Sequence, residues 1–520
     1  FLQAAGLNIL VDCGMEQGND VYENQELPIA ASDVDCILLT HAHIDHSGLI
    51  PLMYVNGFRG QVYSTSATAQ LCEIMLRDSA HIQMFEAEWR NRKAARSGGK
   101  LKEFVPLYDM DAAVNVCKQF VGCEYDRVYD IAEGIKIRFT DVGHLLGSAS
   151  IEVWATEKTE NGDVTEKIVF SGDIGNINKP IIKDPKHVRD ADYVVMESTY
   201  GNRSHGGTPN YVEDLTDIFK RTFERGGNVV IPSFAVGRTQ ELLYIIRKIK
   251  EDNLVGRDFD VYMDSPLAIE ATNIFIKNVE SCFDDEAVEL VRKGINPLSF
   301  PGLKYATTGD ESKQINFDPN PKVIISSSGM CEAGRIRHHL KHNLWRPECT
   351  IVFVGYQAVG TTGRIIVDGA EEIKLFGEPI QIKAEIVQLK GSSGHADKDG
   401  LLCWINAFDT KPKKVFVVHG EDSVCDEFTE CLKEEYGYDA MAPYTGGSYD
   451  LIADRVISEG VKERKTRRTT STQRGKTVFD RLVAAGKRLM TVITHNEGGT
   501  NKDLAKFTDQ INALCDKWDR

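Results

Sequence analysis

Between residues 40 and 48 the chain reads THAHIDHSG, and three imidazoles with one carboxylate inside six residues make a ligand set for a divalent metal. His41 and His43 stand two apart, so on extended chain both point to the same side, while Asp45 and His46 fall where a helix would begin. One loop can thereby serve two adjacent metals. Imidazole and carboxylate donors without thiolate suit Zn²⁺ in an open, catalytic site, whereas closed structural zinc sites usually recruit Cys. A pair of ions needs more donors than one loop holds, and His144, Asp173 and His419 occupy strand ends from which they could be delivered. Each of the three alone reads equally as a turn former or a cap; together with the loop they complete two sites. The chemistry implied is hydrolysis, because two metals about 3.5 to 4 Å apart can share a hydroxide near pH 7 and stabilise the negative charge that builds up on the group it attacks.

Donors this far apart in the chain require strands that end together. DCILL (35–39) precedes THAHIDHSG, IKIRFTDV (135–142) precedes GHLLGS, KIVF (167–170) precedes SGDIGN, and DYVVM (192–196) precedes ESTYGN. This rhythm of strand, polar loop and helix predicts α/β architecture with the active groups at strand C-terminal ends. Residues 70–130 interrupt it with charged, helix-favouring sequence, so His81 is expected on a helix surface rather than at a metal. From 205 to 375 a second set of units follows, among them NVVIPSF before AVGRTQELLYIIRKI and KVIISSSGM before CEAGRIRHHL, before QIKAEIVQL (381–389) and KKVFVVHGEDS (413–423) resume the first pattern. An inserted α/β domain is the economical explanation. The expected organisation is therefore a core over 1–204, an insert over 205–375, a return to the core over 376–455, and a basic linker with C-terminal helices over 456–520. In the last part VKERKTRRTTSTQRGK (461–476) is read as a linker able to touch RNA. Leu504, Phe507, Ile511, Leu514 and Trp518 give the final helix one apolar face, to pack on its own body or in a homodimer.

The 520 residues exceed what one hydrophobic core usually covers. A net charge of −16 argues against a protein that coats nucleic acid by bulk electrostatics, so any such contact must be local or carried by metal. No run of 18 apolar residues is present to span a bilayer. Twelve scattered Cys without a C-x-x-C pair read as reduced core thiols of a cytoplasmic protein. The chain opens at Phe1 and runs almost at once into strand-like NILVD.

Seven ordered motifs resemble the metallo-β-lactamase superfamily and, within it, the β-CASP nucleases. Asp12 in LVDCG, THAHIDHSG, Gly143-His144 and Ser171-Gly172-Asp173 match the four lactamase motifs; Glu197 in MESTYGN, His395 in SGHAD and His419 in VVHGE match the three β-CASP motifs. The resemblance implies an αββα sandwich carrying an inserted α/β β-CASP domain and a C-terminal helical extension. It also implies a ligand scheme of two Zn²⁺: His41, His43 and His144 on one, Asp45, His46 and His419 on the other, with Asp173 bridging. Asp12 would hold the ligand loop by hydrogen bonds, or else merely cap the turn after its strand. His395 would give a proton to the departing ribose oxygen with Glu197 keeping its imidazole charged; a ligand role or a plain loop role are the other readings of His395. Asp12, Asp45, Glu197 and His395 thus form the expected catalytic set.

In the insert, Gly237-Arg238-Thr239 precedes a helix and Ser326-Ser327-Ser328-Gly329 lies between strand and helix, with Thr361 and Arg364 in a third glycine-rich loop. Arg238, Ser326, Ser327, Ser328, Gly329, Thr361 and Arg364 are the candidate RNA-phosphate contacts, although tight turns need glycine with or without a ligand. The lactamase core alone would equally suit an ester or thioester. The resemblance implies RNA instead, since His at the last motif accompanies RNA enzymes of the bacterial and archaeal β-CASP type, related to the cleavage-and-polyadenylation endonuclease. An internal cut is expected over 5′-to-3′ degradation. The rival readings are a small-molecule hydrolase and a non-catalytic scaffold of RNA processing. Relatives usually begin one strand or hairpin earlier, so an N-terminal strand is expected to be missing.

Overall fold

A computed structural model describes residues 1–15, 27–96, 104–204, 206, 210–389, 393–462, 478–498 and 500–518. Two sheets make the core. The first has five strands in the order Leu2–Ala4, Leu7–Val11, Cys36–Leu38, Gln61–Thr65 and Phe120–Cys123; the second has seven, running from Ala440–Met441 and Lys414–Val418 through Tyr193–Glu197, Gly162–Phe170, Ala149–Thr159 and Ile135–Asp141 to Val128–Ala132. The period-2 alternation of strands explains how they stack. Ile9 and Leu38 point inward against Ile137, Phe139, Ile151 and Tyr193, while their neighbours Leu10 and Ile37 point outward against helix Ser66–Arg96. On the far side Val194, Met196, Val415 and Val417 pack on helices Lys398–Ile405 and Asp422–Glu434 through Trp404, Leu401 and Phe428. Helix, sheet, sheet, helix is the layering the motifs implied.

The insert is a six-stranded, wholly parallel sheet ordered Leu303–Tyr305, Asp260–Asp264, Lys322–Ser326, Val229–Pro232, Thr350–Phe353 and Glu385–Gln388. Its central strands Lys322–Ser326, Val229–Pro232 and Thr350–Phe353 are buried along their whole length, as a sheet covered on both sides by helices requires. Beyond the expected boundary at 375, Glu385–Gln388 pairs in parallel register with Thr350–Phe353, so the insert's sheet takes its edge strand from the returning segment. Just before that strand, Glu372–Leu375 and Glu378–Gln381 form an antiparallel hairpin.

One apolar cluster continues from the first sheet into the insert, joining Leu71, Leu76 and Ala80 to Ala271, Ile274 and Phe275. Polar ties reinforce it, with Asn278 Nδ2 donating to Gln70 Oε1 at 3.1 Å and Asp284 N to Ile181 O at 2.7 Å. His81 is exposed on helix Ser66–Arg96, as expected. The Cys are free of disulfides, but Cys403 and Cys515 are exposed rather than in a core. Among the described residues no helix is long and apolar enough to cross a membrane. The final helix, Asn501–Trp518, has no buried residue: Leu504, Phe507 and Ile511 are half-covered, and Leu514 and Trp518 are open. The basic run falls on residues of which 463–476 lie outside those described.

Candidate active site

The run from His41 to His46 follows strand Cys36–Leu38, and the strand ends that bring Asp12, His144, Asp173 and His419 each turn through a left-handed residue within two positions: Asp12 (φ 60°), Gly143 (φ 65°), Gly172 (φ 58°) and His419 (φ 51°). That conformation bends the chain sharply enough to swing the next groups over the sheet edge, and for a non-glycine residue it carries strain that a functional site retains. At Gly172 close approach adds to the demand, because a Cβ there would lie 2.8 Å from Thr40 Cβ.

His41, His43, His144 and Asp173 converge so that one donor atom of each lies within 4.8 Å of the others, and the same holds for Asp45, His46 and His419. In the first group His41 Nε2 and His144 Nε2 stand 3.0 and 3.1 Å from His43 Nδ1. In the second, His46 Nε2 is 3.1 Å from His419 Nε2, which is 3.8 Å from Asp45 Oδ2. Asp173 stands between the groups. Its Oδ2 faces His41 Nε2 at 3.3 Å and His144 Nε2 at 3.5 Å, while Oδ1 faces His46 Nε2 at 3.2 Å.

Behind the ligands a layer of hydrogen bonds fixes the rings. Asp12 Oδ2 accepts from His46 Nδ1 at 2.7 Å and from Thr40 Oγ1 at 2.8 Å, and its Oδ1 accepts from Thr40 N, so one carboxylate ties the ligand loop to the first strand end. Gly394 O lies 3.2 Å from His144 Nδ1, and Thr199 Oγ1 lies 3.1 Å from His419 Nδ1. Beside this cluster His395 Nδ1 meets Glu197 Oε1 at 3.1 Å, and Glu197, itself buried, accepts from Ile174 N at 2.6 Å. His395 Nε2 points inward, 3.8 Å from Asp173 Oδ2.

The electrostatics divide the histidines. Burial pushes His43 down to about 3 and lowers His41 and His144, so these three are neutral imidazoles, the form that binds metal. Burial also opposes charge on His46 and His419, yet the nearby carboxylates, Asp173 first among them, outweigh it and raise both, His419 to about 9. Asp173 stays ionised despite burial because the surrounding imidazoles hold its carboxyl well below the usual range. The pocket stabilises positive charge at its centre.

Three family models match in order: the metallo-β-lactamase superfamily domain over residues 1–176, the Beta-Casp domain over 239–366, and the Zn-dependent metallo-hydrolase RNA specificity domain over 379–443. Ribonuclease TTHA0252 of Thermus thermophilus is 34% identical over 423 residues, covering 81% of this chain and 90% of that protein. The chain belongs to the β-CASP family of the metallo-β-lactamase superfamily. Two further relatives of this β-CASP protein are the transcription termination factor FttA of Methanosarcina mazei, 32% identical over 84% of this chain and 66% of that one, and an RNase J-like protein of Methanocaldococcus jannaschii, 31% identical over 79% and 87%. Membership makes it a metal-dependent hydrolase.

The residues present fit such a metal. Asp173 Oδ1 is buried and accepts no hydrogen bond among the described residues, which is costly for a carboxylate oxygen unless a cation meets it. Ring nitrogens 3.0 to 3.1 Å apart can share only one proton per pair, whereas a cation satisfies every lone pair at once.

The candidate phosphate loops of the β-CASP insert are differently placed from the ligands. Arg238 Nη1 pairs with Glu241 Oε2 at 2.5 Å, and Arg364 Nε pairs with Asp368 Oδ1 at 2.8 Å. Ser326, Ser327 and Ser328 donate to Asp264 O, Ser265 Oγ and Ala333 O. Gly329 does not open a helix, since the next one, Ile336–Asn343, begins seven residues later. Thr361 caps the short helix Thr362–Val367. Sequence reasoning missed Thr199 and Tyr200, although both stand in the quoted MESTYGN; the Tyr200 ring lies edge-on to His395 at 6.2 Å, under the Arg203 guanidinium. It also missed Lys179, whose Nζ donates to His144 O at 2.9 Å and pairs with Glu241 Oε1 of the insert at 3.3 Å.

Proposed function

We propose that this β-CASP protein is a zinc-dependent ribonuclease that hydrolyses RNA phosphodiester bonds, cutting internally, with two Zn²⁺ held by His41, His43 and His144 on one side, Asp45, His46 and His419 on the other, and Asp173 between. The observation that carries this reading is the placement of Asp173: its two oxygens face two separate donor groups, and the His395–Glu197 pair opens onto the same point. When bound, a zinc pair supplies an acidified water and positive charge beside the phosphoryl oxygens. Asp12 keeps the His46 ring turned toward the centre. His395, protonated at Nε2 and held through Nδ1 by Glu197, gives its proton to the ribose oxygen as the P–O bond breaks, while the attacking water's oxygen forms the new one. RNA as substrate is supported by the ribonuclease among the relatives and by the RNA specificity domain matched over 379–443, which contains His395 and His419.

The test is incubation of the full zinc-loaded chain with 5′-labelled single-stranded RNA, with and without chelator, reading product lengths. Labelled fragments of intermediate length that vanish with chelator are expected. Labelled mononucleotide as the first product would overturn the internal cut, and intact RNA alongside hydrolysis of a thioester would overturn the ribonuclease.

A further inference from the structure

Two contacts establish that the C-terminal rim of the insert's parallel sheet borders the metal ligands. Strand Val229–Pro232 runs into a loop in which Gly237 backs onto Leu145, one residue from His144; a Cβ at Gly237 would lie 3.1 Å from Leu145 Cδ1. The edge strand Glu385–Gln388 leads within seven residues to His395, next to Gly394 and its contact with His144. Strand Thr350–Phe353 lies between those two in the sheet. The rim is therefore read in order as the serine loop after Ser326, the loop holding Phe234, the loop holding Tyr356, and the end of strand Glu385–Gln388.

Phe234 and Tyr356 are 48% and 53% exposed, and neither ring belongs to a core cluster. Leaving two large rings in water beside a reaction centre is unfavourable for folding, so a ligand is the natural beneficiary. Both loops are braced on Gly329. The Phe234 ring fills the space of its absent side chain, with Cδ2 3.0 Å from where a Cβ would stand, and Gln357 Nε2 donates to Gly329 O at 3.1 Å. Thr239 Oγ1 donates to Phe234 O at 2.7 Å, which fixes the loop from the other side.

Resting on the ribonuclease reading, we propose that Phe234 and Tyr356 form a stacking platform for unpaired nucleobases of the strand being cut. Every base has a π-face, so such a platform takes single-stranded RNA with little sequence preference. It also accounts for how a chain of net charge −16 holds a polyanion: part of the affinity comes from ring-on-base contact rather than from neutralising phosphates.

The test uses the full zinc-loaded chain in a His395→Ala background, so that RNA is bound without being cut. Binding of a fluorescent single-stranded RNA and of an abasic ribose-phosphate oligomer of equal length is compared for Phe234→Ala, Tyr356→Ala and Phe234→Trp. Each Ala variant is expected to weaken RNA binding by roughly five- to 100-fold, with zinc content and abasic-oligomer binding unchanged, and Phe234→Trp is expected to retain it. RNA binding within twofold of the parent in both Ala variants, as a protein-docking patch would give, overturns the platform. So does an equal loss for the abasic oligomer. Absence of RNA cleavage by the zinc-loaded wild type would instead remove the ribonuclease reading on which the platform rests.

Discussion

His395 and Glu197 are 198 residues apart in the chain and meet at 3.1 Å. If His395 is the proton donor proposed above, replacing it by Ala removes that donor but no member of either candidate metal group, so zinc content should persist while RNA cleavage falls by roughly 10²- to 10⁴-fold; cleavage equal to wild type would contradict the assignment. Burial lowers the pKa of His395, but Glu197 and Asp173 raise it by more, so the folded value stands above the usual one. The donating form then persists to higher pH than in a free imidazole and is lost as pH rises through that raised value. Glu197→Gln removes the largest raising contribution, so the alkaline fall of the rate should move to lower pH, read from the pH–rate profile of kcat. An unmoved alkaline limb would deny Glu197 this role. At this scale the residues that converge were legible because imidazoles and carboxylates at strand ends have few structural reasons to gather. Thr199 and Tyr200 were not, because a hydroxyl or a phenol next to a strand looks the same whether it touches solvent or a ligand ring.

Elements decide whether those residues meet. The strand ends were legible from apolar runs closed by polar clusters, and the left-handed turns at Gly143 and Gly172 from glycine itself; those at Asp12 and His419 were not, because nothing in either residue type demands a positive φ. The insert's last strand was legible in QIKAEIVQL but was assigned to the returning core, because an apolar run does not say which sheet it joins. Lys179 sits in a loop, and nothing in NINKP announces that its ammonium reaches both His144 O and Glu241. This lysine is largely covered, and loss of solvent lowers its pKa against the opposing pull of Glu241. It ties the insert's helix Arg238–Glu251 to the loop of a metal ligand. Lys179→Met should therefore weaken zinc binding by roughly 10-fold or more, measured by chelator competition on the folded variant; unchanged affinity would reduce the lysine to a packing role.

On the scale of the whole molecule, the insert is joined to the core by a shared apolar cluster and by polar ties, so the rim bearing Phe234 and Tyr356 stays in register with the metal ligands. Two domains and their interleaving were legible because the strand-and-loop rhythm stops and resumes. What covers the C-terminal helix was not, since a 3,4 spacing of Leu504, Phe507 and Ile511 reveals an apolar face and not its partner. The central claim is that histidines and aspartates drawn from both ends of the chain hold two metal ions around Asp173. The most direct measurement is the number of zinc ions per chain in wild type and Asp173→Ala by metal analysis of the purified, folded proteins. Two in the wild type and a clear loss in the variant are expected; two in both, or none in the wild type supplied with zinc, would contradict it.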